Sequence, residues 1–175
     1  MQDLEIVKVT THEADQLQEM GRQTFYETFA SCNTRENMEK YLEEGFSIAK
    51  VTAELADENT EFYFAKAGKN VIGYLKLNVG NSQTELQDEK ALEIERIYVL
   101  KEFHGENVGK LLYDKALEIA NQKNSEYIWL GVWEQNPRAI GFYRKNGFIE
   151  FDRHIFKLGN DEQTDIMMKL QLKRL

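Results

Sequence analysis

Glu93-Ile-Glu-Arg-Ile-Tyr-Val-Leu-Lys-Glu-Phe-His-Gly-Glu-Asn-Val-Gly-Lys110 is a stretch whose residue types and spacing could do chemistry. It reads as a strand that runs through a short glycine-containing loop into a helix. Gly105, Asn107 and Gly109 are residue types that enter left-handed or tight backbone geometry, so successive N–H groups at the helix start could converge on a diphosphate. The same pattern also reads as a tight strand-to-helix connection without a ligand. A nucleotide P-loop fits poorly: Gly105 to Lys110 is one residue short of G-x-x-x-x-G-K, and Leu111 stands where Ser or Thr would hold magnesium. A dinucleotide fingerprint lacks its third glycine. The second informative stretch is Trp129-Leu-Gly-Val-Trp-Glu-Gln-Asn-Pro-Arg-Ala-Ile-Gly-Phe-Tyr-Arg-Lys-Asn-Gly-Phe148. Asn136 there reads as an N-cap, Pro137 as the first helical residue and Gly147 as the residue just past the end.

The elements that must position these residues follow from periodicity. Leu4 to Thr10 alternates as a first strand, and Thr10 or Thr11 can cap a helix with Glu13 in its first turn and Leu17, Met20, Thr24, Phe25, Thr28 and Phe29 at helical spacing. Asn33 or Thr34 starts a second helix through Met38, Tyr41 and Leu42, and Ser47 caps a third through Val51 and Leu55. Glu61 to Ala67 and Asn70 to Val79 form a hairpin. After a polar loop over Asn81 to Lys90 come a strand at Leu92 to Leu100, a helix at Asn107 to Lys123, a strand at Tyr127 to Trp133 and a helix at Asn136 to Asn146. Strands at Phe148 to Leu158 and Thr164 to Leu172 complete an α+β, mixed α/β chain with one parallel crossover. Such a crossover puts a helix N-terminus at the carboxyl end of the sheet, which suits anions.

Composition narrows the function classes. The 175-residue chain carries 22 basic and 30 acidic residues, a net charge of −8. With 42% hydrophobic residues it is globular, and its length predicts a single domain over residues 1–175. One cysteine excludes an internal disulfide framework, and one Cys with three scattered His is too little for a zinc site, so no metal is expected. Cys32 reads as a reduced thiol in a cytoplasmic protein. No apolar run approaches the roughly 20 residues of a membrane span, and the N-terminus lacks a secretory pattern. The acidic balance argues against nucleic acid, whose phosphates are bound by Lys and Arg, and fits a cationic ligand.

Taken together, the two stretches resemble the acetyl-CoA-binding core of the GCN5-related N-acetyltransferase family over roughly residues 92 to 148. Thr24-Phe-Tyr-Glu-Thr-Phe29, Asn33-Thr-Arg-Glu-Asn-Met38 with Tyr41-Leu42, and Leu158-Gly-Asn-Asp-Glu-Gln-Thr-Asp165 are similar to the Pai-operon type of bacterial polyamine N-acetyltransferases, named as regulators of sporulation and protease synthesis. The resemblance implies a mixed central sheet of about seven strands, splayed between its fourth and fifth strands around acetyl-CoA, with helices on both faces. It implies that the backbone of Ile97, Tyr98 and Val99 hydrogen-bonds pantetheine. It implies that His104, Gly105, Glu106, Asn107, Val108, Gly109 and Lys110 form the pyrophosphate loop, with His104 replacing the family's Gln or Arg and Asn107 its first glycine. Asn136 and Lys145 fall where the family contacts pantetheine and phosphate, and Tyr143 matches the tyrosine that protonates the departing thiolate.

The implied reaction is direct attack by a primary amine of a small cationic substrate, with spermidine or spermine favoured. Alternatives are a protein N-terminus, a lysine side chain, an aminoglycoside, or a non-catalytic CoA-sensing module. An alkylamine of pKa about 10.4 is neutral in only about one molecule per thousand at neutral pH, and freeing its lone pair costs roughly 4 to 5 kcal/mol. A base is therefore needed. Glu93 and Glu95, at period two on one strand face, are the candidates, and their mutual repulsion would raise one pKa. They also read as solvated carboxylates, or Glu95 as a partner of nearby Arg96. Glu27, Glu36, Glu43, Glu44, Glu85, Asp88 and Glu89 are expected to flank the acceptor cleft, with Tyr26, Phe29 and Tyr41 either against the polyamine methylenes or in the core. The expected assembly is a monomer or homodimer.

Overall fold

A computed structural model describes residues 3–173. β1 (Leu4–Lys8) leads through a 3-10 turn into α1 (Ala14–Phe29). The Glu13 carboxylate accepts from the N–H (2.8 Å) and hydroxyl (3.2 Å) of Thr10, closing the helix start. α2 (Arg35–Gly45) and α3 (Ile48–Ala56) are capped by the hydroxyls of Thr34, accepting from the N–H of Asn37 at 3.1 Å, and Ser47, accepting from that of Lys50 at 3.2 Å. β2 (Thr60–Ala67) and β3 (Asn70–Val79) form the expected hairpin, turning at Gly68 with φ 61°. β4 (Ala91–Val99), α4 (Val108–Gln122), β5 (Tyr127–Trp133), α5 (Pro137–Lys145), β6 (Ile149–Leu158) and β7 (Asp161–Gln171) follow. Helix and strand limits thus lie within a few residues of those read from the sequence, the largest difference being β7, which begins at Asp161 rather than Thr164.

The strands form one seven-stranded sheet in the order β1-β2-β3-β4-β5-β7-β6, in which β4 and β5 are the parallel pair. β7 inserts between β5 and β6, an order that local sequence patterns do not encode. One face packs Leu75, Leu77, Leu92 and Ile94 against Leu112 and Ala116 of α4 and Ile140 and Tyr143 of α5. The other packs Phe62, Phe64 and Tyr74 against Leu17 and Met20 of α1 and Val51 of α3. Truncating a fully buried leucine such as Leu75 or Leu112 to alanine removes about 2 to 5 kcal/mol, so these two layers hold the sheet's shape firmly.

β4 and β5 pair only from Ala91 opposite Tyr127 to Ile94 opposite Leu130, and then part. Each stays paired along its length to its other neighbour, β4 to β3 and β5 to β7. The parting coincides with an irregularity in β4: Leu77 lies opposite Ile94 while Lys76 lies opposite Arg96, so Glu95 is an extra residue. Such a bulge bends and twists its strand away from the regular plane. It also resets side-chain alternation, placing Arg96 and Tyr98 with Glu93 opposite Lys76, Tyr74 and Asn78 on the α1 face, and Ile97 and Val99 with Ile94 on the α4 face. Glu93 and Glu95 still meet, because the Asn78 amide donates to both, at 3.1 and 2.8 Å; the bulge, rather than plain alternation, brings them together.

The β3–β4 ladder is tight where it supports this divergence. A Cβ on Gly73 would lie 2.7 Å from the Tyr98 carbonyl oxygen and 3.3 Å from Val99 Cα. Gly73→Ala should therefore cost about 1 to 3 kcal/mol, read as a lowered midpoint in urea unfolding.

Candidate active site

The loop between β4 and α4 adopts the positive backbone angles its residues allow. Gly105 has φ 90° and Asn107 has φ 64°, ψ 10°, so asparagine serves at the left-handed helix entry in place of glycine. His104 Nε2 donates to the Val99 carbonyl at 2.8 Å and ties the loop back to the end of β4. The first-turn amides of Val108, Gly109 and Lys110 have no intrahelical acceptor and carry the positive end of the α4 dipole. A Cβ on Gly105 or Gly109 would meet nothing within 4 Å, so the loop presents open backbone. That is a cradle a diphosphate can fill.

A cavity of about 320 Å³ lies above this cradle, between the free end of β4 and α5. Ile97, Tyr98 and Val99 form one wall, and His104, Gly105, Asn107, Val108, Gly109 and Lys110 the base. Asn136 and Tyr143 close the far side; the Asn136 side chain also accepts from the N–H of Ala139 at 3.2 Å, capping α5. Among the expected cofactor residues, Glu106 and Lys145 do not line the cavity and are exposed. Arg138, in the first turn of α5, lines it instead, a position that the motif pattern alone did not single out. Lys110 pairs with Asp114 one turn further along α4.

Tyr143 also lines a second cavity, of about 300 Å³, which lies where β4 and β5 part and reaches to α1. Its ring is wedged between Phe142 and Phe148 at centroid separations of 5.5 and 5.4 Å. Burial pushes its phenol well above the ordinary value, so it carries its proton at neutral pH and can donate it. Phe25, Phe29, Tyr41 and Trp133 wall the second cavity, with Phe25 stacked on Tyr41 at 4.3 Å. Tyr26 points away and is exposed. Cys32 is exposed and lines neither cavity.

The second cavity is strongly carboxylic. Glu93 is 3% exposed and accepts from the Thr84 N–H (2.9 Å), the Thr84 hydroxyl and Asn78. Burial raises its pKa above the usual carboxylate value, the hydrogen bonds opposing; Glu95 is the least of the contributing causes. For Glu95 burial works in the same direction, but the Lys76 ammonium at 2.5 Å and the Arg96 guanidinium at 4.0 Å outweigh it and hold the carboxyl below its usual range. Lys76 also pairs with Glu54 at 3.2 Å, and Arg96 stacks over Phe46 at 4.6 Å. Of the carboxylates expected to flank the cleft, Glu85 lines the cavity, whereas Glu27 accepts from the Lys101 N–H at 2.9 Å and Asp88 from the Tyr127 hydroxyl at 2.8 Å. Glu36, Glu43, Glu44 and Glu89 lie off it. The polar loop before β4 is rigidly placed: Trp129 Nε1 donates to Gln83 at 2.7 Å, and Thr84 holds Glu93, so Glu85 is delivered to the cavity. Two cavity residues not foreseen from the sequence are His154 of β6 and Asp165 of β7.

Among the described residues no group of three or more His, Cys, Asp or Glu is placed to hold a metal ion, and no helix is long and apolar enough to cross a membrane.

A parallel strand pair parts beside a helix N-terminus and a protonated tyrosine, a geometry that can take an extended, phosphate-bearing ligand. The family model described as the Acetyltransferase (GNAT) family matches residues 17–148, and the chain belongs to that family of acetyl-CoA-dependent N-acetyltransferases. It is 40% identical to an uncharacterized N-acetyltransferase in the pepI 3' region of Lactobacillus delbrueckii subsp. lactis, over 98% of this chain and 99% of that one. It is 28% identical to a spermidine N(1)-acetyltransferase of Thermoplasma acidophilum, over 83% of this chain and 88% of the other. The crystal structure of the PaiA N-acetyltransferase from Thermoplasma acidophilum in complex with coenzyme A superposes with a TM-score of 0.80 at 25% identity, covering 97% and 99% of the two chains. The cosubstrate is acetyl-CoA, and the splayed seven-stranded sheet is the GNAT fold.

Two outcomes follow from this geometry. Asn107→Val should weaken coenzyme A binding about tenfold in calorimetric titration, because a branched side chain costs about 1 to 2 kcal/mol at a left-handed position, whereas Asn107→Gly should retain it. Glu95 has a depressed folded-state pKa, so its contribution to stability is present above the unfolded-chain carboxylate pKa and is lost as pH falls through the folded value. Glu95→Gln should therefore lower the denaturation midpoint at neutral pH, with the difference from the parent chain shrinking on acidification.

Proposed function

We propose that this chain acetylates a primary amine of a polyamine, with spermidine or spermine as the favoured acceptor, acting as a single cytoplasmic catalytic domain over residues 1–175, as a monomer or homodimer. The observation that carries this reading is the composition of the second cavity: aromatic walls suited to methylenes, and the carboxylates Glu85, Glu93, Glu95 and Asp165 suited to ammonium groups. The similarity to a spermidine N(1)-acetyltransferase supports it.

In this reading, the unpaired β4 edge at Ile97, Tyr98 and Val99 hydrogen-bonds the pantetheine arm, and the backbone of residues 104–110, Glu106 included, receives the diphosphate. Asn136 borders the arm where it reaches the thioester. Lys145, on the outer end of α5, contributes to the phosphates by long-range charge, and Arg138 does so from the cavity rim. The amine enters from the α1 side and attacks the thioester directly, with no covalent acetyl-enzyme. Tyr143 stands between the two cavities and gives its proton to the departing thiolate. Glu93 and Glu95 supply the negative field that draws the ammonium to the place where β4 and β5 part.

A steady-state thiol-release assay across spermidine, spermine, a lysine-bearing peptide, a peptide with a free N-terminus and an aminoglycoside tests the reading. The highest kcat/KM is expected on the polyamines; preference for a peptide or the aminoglycoside would replace the acceptor assignment. Tyr143→Phe should lower kcat at least about a hundredfold, the scale of a lost general acid, while leaving acetyl-CoA affinity unchanged. Unchanged turnover would remove the acid role.

A further inference from the structure

The attacking nitrogen must lose a proton before it can react, and the strand-β4 carboxylates are poorly disposed to take it. Glu93 is closed in by Thr84 and Asn78, and protonating Glu95 would leave Lys76, whose side chain is 5% exposed, without its nearest counter-charge. We propose that His154 and Asp165, backed by Glu85, form the proton-accepting arm of the acceptor cavity and take the proton that the substrate ammonium sheds. This rests on the reading that an amine occupies the second cavity, and it places the proton acceptor across the gap from β4.

The placement comes from the sheet. Gly131 is the first residue of β5 beyond the last β4–β5 pair. A Cβ on it would meet His154 Cε1 at 3.4 Å and Asp165 Oδ2 at 3.5 Å, so both side chains overhang the point where the strands separate. His154 and Asp165 are directly opposite each other in the β6–β7 ladder, which fixes their mutual position. His154 Nε2 lies 3.7 Å from Asp165 Oδ2, too far for a direct hydrogen bond. On the other side of the ring, Nδ1 lies 3.3 Å from Glu85 Oε1, enclosed and without an aligned hydrogen-bond partner among the described residues. Glu85 is the more exposed of the two carboxylates, 37% against 19% for Asp165, so the three groups run from the cavity to solvent. Burial raises the Asp165 pKa, against the pull of His154 and with the push of Glu85, making it a better proton acceptor than a solvated carboxylate. The other charged or titratable groups facing this cavity are Glu93, Glu95, Arg96 and Tyr98 of β4, Tyr41 of α2 and Tyr143 of α5; Arg153, next to His154 on β6, pairs with Glu134 at 3.6 Å.

In the tautomer with the ring hydrogen on Nδ1, the Nε2 lone pair takes a proton from the substrate ammonium; the N–H bond breaks and the nitrogen keeps its electron pair. Asp165 and Glu85 flank the resulting imidazolium, which returns the proton to water beside Glu85. The freed lone pair forms the C–N bond, the C–S pair leaves with sulfur, and Tyr143 protonates the thiolate. The second proton on the attacking nitrogen restores Tyr143 through solvent, so one proton is released per acetyl group transferred.

The test compares two acceptors: the best amine of the panel, and a fluorinated analogue of it whose nitrogen is neutral at the assay pH and needs no base. His154→Gln should lower kcat/KM on the ordinary amine at least about tenfold and move the rising limb of its pH profile upward. It should change kcat/KM on the fluorinated amine less than about twofold, and leave acetyl-CoA affinity as in the parent chain. A pH profile of unchanged shape, or an equal loss on both amines, overturns the proposal. Should His154→Gln not bind acetyl-CoA as a folded protein, Asp165→Asn is read by the same two-amine comparison with the same outcomes. Failure of the underlying acceptor reading shows in the parent chain, as no amine turned over, and takes this inference with it. Failure of the inference alone shows only in the variants.

Discussion

The interaction on which the rest of the site depends is one that β4 and β5 do not make. Backbone amides and carbonyls inside a sheet need partners, and after Ile94 and Leu130 these two strands stop supplying them to each other. The unpaired edge is stable because each strand is held on its other side, β4 by β3 and β5 by β7, and because α4 and α5 pack across the gap. An extended ligand bearing peptide-like amides can complete what the sheet leaves open. The extra residue at Glu95 coincides with the parting and, by resetting the alternation, gives the two faces of β4 different surroundings: Ile97 and Val99 join the apolar layer under α4, while Glu95, Arg96 and Tyr98 line the carboxylate-rich cavity.

The two cavities are electrostatically opposite. The one under α4 is bounded by helix N-termini and by Lys110 and Arg138, a setting for phosphates. The one under α1 holds four carboxylates with Arg96 the cation among its lining residues. Tyr143, buried and protonated, borders both, together with Ile97, Tyr98 and Asn136, so the two cavities adjoin there. The net charge of −8 favours approach of a cationic acceptor to the protein, while the anionic cosubstrate depends on local helix-end fields.

Much of this was legible in the residues because it is local. Caps at Thr34, Ser47 and Asn136, the turn at Gly68, and the positive φ of Gly105 and Asn107 depend on a few neighbouring residues, and the structure has them where the spacing put them. The loop between β4 and α4 and Tyr143 sit within such segments, and all of residues 104–110 except Glu106 reach one cavity with Tyr143. Lys145 and Arg138 show the limit: both lie on α5, and only the helix's orientation in the fold decides that Arg138 borders the cavity and Lys145 does not.

The acceptor side was decided by tertiary structure. That Glu95 is neutralised by Lys76 and Arg96 depends on a bulge and on the β3–β4 register. That Glu85 alone among the scattered carboxylates of the helices and loops reaches the cavity depends on Trp129 holding Gln83 from another strand. His154 and Asp165 carry no recognisable spacing, and they meet only because β7 inserts between β5 and β6 over a glycine. Backbone conformation is set over a few residues and can be read along the chain. The meeting of charges is set by strand order and register, which the energy of the whole packed sheet selects.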